Sequence, residues 1–222
     1  MKSQALEGII KFLTEIGKLK DTRRTGWVLR EVKNPESIAD HTFRTALMVW
    51  VLAKKRGFDI EKLIKMALVH DLCEVYAGVR TPYDDLVAEH PEQKKEILSK
   101  WRHQLQDERK RRDSEKTSEE RESLDRVVES LPSELRDEFR ELWFEFEEGF
   151  SKEGRFLRQV DRVENLLQAL EYKRRGEEFA MGPWWEQIKE VVDDKELLEF
   201  VSALDEYFNG EEPKVASLCQ DQ

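Results

Sequence analysis

Along most of the chain the apolar residues return every three to four positions, the period of an amphipathic helix and not the two-residue period of a strand. The opening MKSQALEGIIKFL and its continuation put Leu6, Ile9, Ile10, Phe12, Leu13, Ile16 and Leu19 in that phase. In NPESIAD, Pro35 and Ser37 are helix-start signals. The helix they open carries Ala39, Phe43, Ala46, Leu47, Trp50 and Ala53 as its apolar face and stops at Gly57. From Asp59, IEKLIKMALVHDLCEVY aligns Leu63, Ile64, Ala67, Leu68 and Val75 and predicts one helix ending near Gly78. The pattern weakens in TPYDDLVAEHP, and a long helix is expected from about Pro91. Its middle, Asp107 to Glu122, is almost wholly charged, which reads as a solvated hairpin or loop with partial helicity.

The phase resumes after Pro132 with Leu135, Phe139, Leu142, Trp143 and Phe146. It continues through Phe156, Val160, Val163, Leu167 and Leu170 up to Gly176, and GPWWEQIKEVVDDKELLEFVSALDEYF supplies the last helices. No segment is rich enough in β-formers to define a sheet. The expectation is an all-α helical bundle: one domain over 1–208, interrupted by a charged helical or loop excursion at about 105–123, with a frayed tail over 209–222.

Composition narrows the function more than the fold. A chain of 222 residues can bury one substantial core. A formal charge of -10 argues against a nucleic-acid polymer held by general basicity, yet leaves room for a small anion in a locally positive cleft. Cys73 and Cys219 fit no metal or redox spacing. No apolar run approaches the roughly 18 residues of a membrane span, and the first residues lack a signal-like apolar block. The expected compartment is cytoplasmic.

The unusual polarity lies at the end of the third helical pattern. His70 and Asp71 are adjacent there, and Glu74 follows one helical turn later. Helix-end surface polarity is the plain explanation, but two distant residues weigh against it. His41 borders the buried face of its helix. Asp161 follows Val160 in an apolar-periodic helix and shares a stripe with Leu157, Glu164, Asn165 and Gln168. A carboxylate so placed calls for a cation, supplied by an arginine or a metal ion. His41, His70, Asp71 and Asp161 could together give one divalent metal two imidazoles and two carboxylates. Mn²⁺, Co²⁺, Ni²⁺, Fe²⁺ or Zn²⁺ suits such a set better than Mg²⁺. Glu74, beside these ligands, could orient or deprotonate a water. His90 and His103 sit in strongly polar sequence and read as surface or structural residues.

The order H…HD…D, carried by His41, His70–Asp71 and Asp161, resembles the metal signature of the HD-domain phosphohydrolases. The blocks RTGWVL, NPESIADHTFRTALMVWVLA, KMALVHDLCEVYAG, LPSELRDEFRELWFEFEEG and RFLRQVDRVENLLQALEY are similar, in order, to the YfbR-like 5′-deoxynucleotidase branch, which includes the HD domain-containing protein 2 group. The resemblance spans about residues 8 to 208. It implies a helical bundle around one divalent ion, hydrolysis of (deoxy)nucleoside 5′-monophosphates to nucleoside and phosphate, and a homodimer. It also implies that His41, His70, Asp71 and Asp161 are metal ligands, that Glu74 is the catalytic acidic residue and that Trp27 lies at the substrate pocket.

Two departures from the family pattern bear on substrate. Gly26 stands where the family places a phosphate-binding arginine, and Arg24 is the first substitute, with Arg23, Arg30 and Arg44 as alternatives. Val79 follows Gly78 where members of the family commonly carry an aspartate at the substrate site; Asp84 or Asp85 could replace it. Val79 therefore keeps two further readings open: a hydrolase of another nucleotide or small phosphate ester, and a metal-stabilised interaction module weak in catalysis.

Overall fold

The computed structural model describes residues 2–79, 81, 83–100 and 106–210, with the side chains of residue 2 and of residues 106–116 left aside. Cys219 and His103 lie outside the described residues. The helices are α1 (Lys2–Ile16), α2 (Thr25–Leu29), α3 (Ile38–Ala53), α4 (Ile60–Val69), α5 (Glu74–Ala77), α6 (Asp84–Glu89), α7 (Lys94–Lys100), α8 (Gln106–Val128), α9 (Ser133–Glu148), α10 (Lys152–Arg174), α11 (Gly182–Val191) and α12 (Lys195–Asn209). Short 3-10 turns at Gly17–Lys20 and Pro91–Gln93 complete the set. Among the described residues the β-structure is a single isolated antiparallel bridge between Arg23 and Ser37, so the bundle is all-α.

The axis of the bundle is α10. Leu157, Val160, Val163, Leu166 and Ala169 are fully buried along it, and α3, α4, α9, α11 and α12 pack around it. Its start is fixed by Ser151, whose hydroxyl accepts from the Gly154 amide at 2.9 Å. The start of α3 is fixed by a reciprocal cap: Ser37 Oγ accepts from the Asp40 amide at 3.1 Å and Asp40 Oδ2 accepts from the Ser37 amide at 2.9 Å. That cap holds His41 one residue past the first turn of α3, facing α10.

The inward face of α3 differs from the one its hydrophobic pattern suggests. Phe43, Leu47 and Trp50 are exposed, while Ile38, His41, Thr45, Met48, Val49 and Ala53 are buried together with Ala46. Two overlapping stripes compete on this helix. The one holding His41 wins because its polar partners, Asp161 and Glu164, are carried by the buried α10. In α1, likewise, Phe12 is buried but Leu6, Ile10 and Leu13 stay exposed.

The continuous helix expected from Asp59 to Gly78 is broken at the His–Asp pair. After α4 the hydrogen bonds tighten to the three-residue spacing, Leu72 N to Val69 O and Glu74 N to Asp71 O, before α5 begins. The C-terminal half of α8 braces this turn. Ser123 Oγ donates to the Cys73 carbonyl and accepts from the Ala77 amide at 3.1 Å. The backbone of the charged segment is thus helical from Gln106 to Val128, and at its end Leu124, Val127 and Val128 enter the core. The long helix expected from Pro91 is likewise divided, into a 3-10 turn and α7, before α8.

Candidate metal centre

Two helix ends, the turn after one of them and one helix interior bring the polar residues together. His41 comes from the start of α3, His70 from the C-cap of α4, Asp71 from the turn after it, and Asp161 from the middle of α10. His41 and His70 are 0% and 2% exposed and Asp161 is 6% exposed, so water does little to solvate them. His41 Nε2 lies 3.3 Å from His70 Nε2, 3.1 Å from Asp161 Oδ1 and 3.7 Å from Asp71 Oδ2. His70 Nε2 is 3.3 Å from Asp71 Oδ2.

The opposite edges of the two rings decide what these atoms are. His70 Nδ1 is 2.7 Å from the Ala67 carbonyl, which only accepts, so Nδ1 carries the proton and Nε2 offers a lone pair. His41 Nδ1 is 2.5 Å from Glu164 Oε2, and Glu164 is held ionised against its burial by His41, Arg24 and Arg44. His41 Nδ1 also faces the donor-only Arg24 Nη1 at 2.8 Å, but its shorter contact is the one to Glu164; donation along that contact leaves Nε2 to present a lone pair. His41, His70 and Asp161 form a compact, buried ligand set, Asp71 joins it from a more open edge through Oδ2, and the Asn165 amide reaches Asp161 Oδ1 only at 3.4 Å. A buried cluster of acceptors is costly without a cation at its centre.

The spacing fits one. With metal–ligand bonds of about 2.0–2.2 Å, neighbouring donors of a first-row ion sit roughly 3.0–3.5 Å apart, which brackets three of the four separations. In the absence of an ion, protons take its part. Burial and the Arg24 charge lower the His41 pKa, but Glu164 and Asp161 outweigh them and lift it to about 10. The His70 pKa rises as well, because Asp71 outweighs the effect of burial. Burial would raise the Asp71 and Asp161 pKa values, yet both fall well below the usual carboxylate range: His70 and His41 stabilise the Asp71 anion, Arg162 and His41 that of Asp161.

Glu74, the first residue of α5, is buried one turn beyond Asp71. Trp27 is also buried. Its ring stacks on Trp184 with centroids 5.3 Å apart, and its indole N–H donates to Glu36 Oε1 at 2.9 Å. The Arg24 guanidinium reaches the Nδ1 edge of His41, away from the four converging donors. Arg44 is tied to Glu164, Gln168 and Glu171, and Arg23 to the Pro35 carbonyl. Arg30 differs: it donates to the Gly26 carbonyl and Tyr83 Oη at 2.8 and 2.7 Å, lies over the Trp184 ring, and has no carboxylate within 4 Å among the described residues. A Cβ at Gly26 would meet Tyr83 Oη at 3.2 Å and Arg30 Nη1 at 3.8 Å, so Arg30 and Tyr83 occupy the space in front of that glycine.

Val79 packs against the core, and its carbonyl accepts from Thr25 Oγ1 at 2.6 Å, which ties the loop after α5 to the start of α2. The Asp84 carboxylate is engaged by the amide and hydroxyl of Thr81. Asp85 and His90 are exposed. Sequence reasoning left Glu36 and Glu164 without roles, although both are buried at this centre. The signal for Glu164 was its position one turn after Asp161; Glu36 gave none beyond preceding the Ser37 cap.

The sequence model of the HD domain matches residues 16–203. The chain is 30% identical over 212 residues to the 5′-deoxynucleotidase HDDC2 of Xenopus laevis, covering 94% of this chain and 91% of that protein. It is 36% identical to the mouse 5′-deoxynucleotidase HDDC2 over 166 residues, or 75% and 70% of the two chains. A crystal structure from Pyrococcus horikoshii shares 28% identity, superposes with a TM-score of 0.63, and covers 88% of this chain and 97% of its own.

Proposed function

Because the chain belongs to the HD-domain family, in the branch of its YfbR-like and HDDC2 homologues, we propose that it hydrolyses nucleoside 5′-monophosphates, deoxyribonucleotides first among them, to nucleoside and phosphate. It is a metal-dependent phosphohydrolase of the HD type. The observation that carries the reading is the buried set of His41 Nε2, His70 Nε2 and Asp161 Oδ1, with Asp71 Oδ2 3.3 Å from His70 Nε2 at its more open edge. In this reading those residues hold one divalent ion. Two imidazoles beside two carboxylates favour Mn²⁺, Co²⁺, Ni²⁺, Fe²⁺ or Zn²⁺ over Mg²⁺.

Such an ion supplies Lewis-acid polarisation of a phosphoryl oxygen and acidifies water. The side chains do the rest. Glu164 and the Ala67 carbonyl fix the tautomers of the two rings. Glu74 takes a proton from the attacking water as its oxygen bonds to phosphorus, and returns a proton to the 5′ oxygen as the P–O bond breaks. Arg30, a cation with no carboxylate partner among the described residues, clasps the phosphate, because a planar guanidinium matches phosphate oxygens. Arg24, Trp27 and Asp84 line the same region from behind. They support the site through Glu36, the aromatic cluster and Thr81.

Val79 favours a second reading of the sugar preference. Val79 offers no side-chain acceptor for a sugar hydroxyl, and the Asp84 carboxylate already takes the amide and hydroxyl of Thr81. Ribonucleotides or other small phosphate esters then compete with deoxyribonucleotides. Phosphate release from a panel of ribo- and deoxyribonucleoside monophosphates, with cyclic and diphosphate forms, ranks them by kcat/KM. Equal, negligible release across the panel would refute the nucleotidase reading. The exposed Phe43, Leu47 and Trp50 stripe on α3 supports a homodimer. Among the described residues no helix is long and apolar enough to cross a membrane.

A further inference from the structure

His41 has a second edge, and it too faces a set of metal-type donors. Glu36, His41 and Glu164 each offer a ligand atom, and these atoms lie within 4.8 Å of one another. All three residues are more than nine-tenths buried: Glu36 is 8% exposed, His41 and Glu164 are 0% exposed. The group seated among them is a guanidinium. Arg24 Nη1 stands 2.8 Å from His41 Nδ1, 3.4 Å from Glu36 Oε1 and 3.6 Å from Glu164 Oε2.

The placement is built by the backbone. The Arg24 amide donates to the Glu36 carbonyl at 3.2 Å and the Ile38 amide to the Thr22 carbonyl at 2.9 Å, so the Arg23–Ser37 bridge carries Arg24 into the cluster. Each carboxylate has a further donor as well. Trp27 Nε1 donates to Glu36 Oε1, the Glu36 amide donates to Tyr172 Oη at 2.7 Å, and Arg44 grips Glu164 Oε1. On this edge Glu36 and Glu164 face two guanidinium groups, Arg24 and Arg44, the second of them shared with Glu171. Burial and Glu164 already push the Glu36 pKa up, and without Arg24 the two carboxylates would share only Arg44, which Glu171 also engages, a state that demands a proton or another cation.

We propose that Arg24 is the resident cation of a second, preformed cation site on the Nδ1 edge of His41, and that it thereby limits the centre to one metal ion. Removing its charge frees the Glu36–His41–Glu164 set to take up a second divalent ion, with the Nδ1 proton passing to solvent. Arg24 is a positioning residue for His41, acting behind the ring that the first ion uses. The inference rests on the proposed function only in that the Nε2 edge holds a metal.

The test is metal stoichiometry at saturating Mn²⁺ near pH 8, by elemental analysis and native mass spectrometry, with circular dichroism as the check of fold. Wild type and Arg24→Lys are expected to hold one ion per chain, Arg24→Met two, and Arg24→Met combined with Glu36→Gln one again. In Arg24→Met the paramagnetic resonance of the two Mn²⁺ ions should show spin coupling across the shared imidazole. A folded Arg24→Met chain with one ion overturns the inference, as does a wild type with two. If Arg24→Met is unfolded without metal, its refolding is titrated: recovery requiring two ions supports the inference, and recovery with one, or none at any Mn²⁺ concentration, overturns it. A wild type that holds no ion overturns the metal centre itself and this inference with it.

Discussion

Glu164 is the most informative residue to remove, since it touches His41 from the edge opposite the donors. Its Oε2 lies 2.5 Å from His41 Nδ1, while Oε1 is 2.6 Å from Arg44 Nη2. Partners that orient a metal-binding histidine cost about 10–100-fold in metal affinity when lost, or roughly 1.4–2.8 kcal/mol. Glu164→Gln keeps an oxygen for the Nδ1 proton but loses the charge, so it should weaken Mn²⁺ or Zn²⁺ binding by about tenfold, at the low end of that range. Glu164→Ala leaves the ring free to turn and should approach about 100-fold. Ala also strips a buried carboxylate from His41, Arg44 and Arg24, so although Arg44 keeps Glu171 at 2.7 Å it should cost about 3–5 kcal/mol of stability. Competition against a chromophoric chelator measures the affinity, and chemical denaturation the stability. Folded Gln and Ala variants that both bind metal as the wild type does would refute the tautomer argument.

Other consequences follow from the same geometry. In the metal-free chain the His41 pKa lies near 10, so the ring is protonated at neutral pH; loading a metal should release about one proton, seen as a buffer-dependent heat in calorimetry. The shift is upward, so it stabilises the metal-free fold fully below the unfolded value near 6.5 and loses that effect as pH climbs through about 10. Thermal unfolding in chelator should fall across that window, and a rise would contradict the assignment. Glu74→Gln should retain fold and metal while kcat drops at least about tenfold, with about 100-fold or more expected for a lost general acid–base; unchanged turnover would remove Glu74 from its role. Arg30→Ala should lower kcat/KM by about 10–100-fold, mostly through KM, as a charged hydrogen bond worth about 1.5–3 kcal/mol disappears. An unaltered KM would send the search for the phosphate ligand elsewhere.

How far the sequence could be read depends on which physical signal a residue leaves. Helical period was strong enough to give the all-α class and the general position of α3, α9, α10 and α12. It could not choose between two apolar stripes on α3, because Phe43, Leu47 and Trp50 look as buriable as Ile38, Met48 and Val49. That choice is made by tertiary polar contacts to Asp161 and Glu164. The break at His70 was invisible for a similar reason: no glycine or proline marks it, and it is braced by Ser123 from α8, distant in sequence. His41, His70 and Asp161, which the fold brings together, stood out because polar residues at buried phases are rare. Glu36 did not, and Arg24 and Arg44 read as phosphate ligands and not as partners of Glu36 and Glu164, since an acid or an arginine near a helix end ordinarily faces water. Their inward placement comes from the Arg23–Ser37 bridge and from the length of α10 running past it.

The central claim is that the four-donor cluster holds an ion that hydrolysis requires. Its most direct test is phosphate release from nucleoside 5′-monophosphates by metal-stripped protein, before and after addition of Mn²⁺, Co²⁺, Ni²⁺, Zn²⁺ or Mg²⁺. His70→Ala and Asp161→Ala are assayed alongside. The account predicts negligible release from stripped protein, restoration by the borderline ions above that by Mg²⁺, and none in either variant. Release that survives stripping, or that persists in both variants, would contradict it.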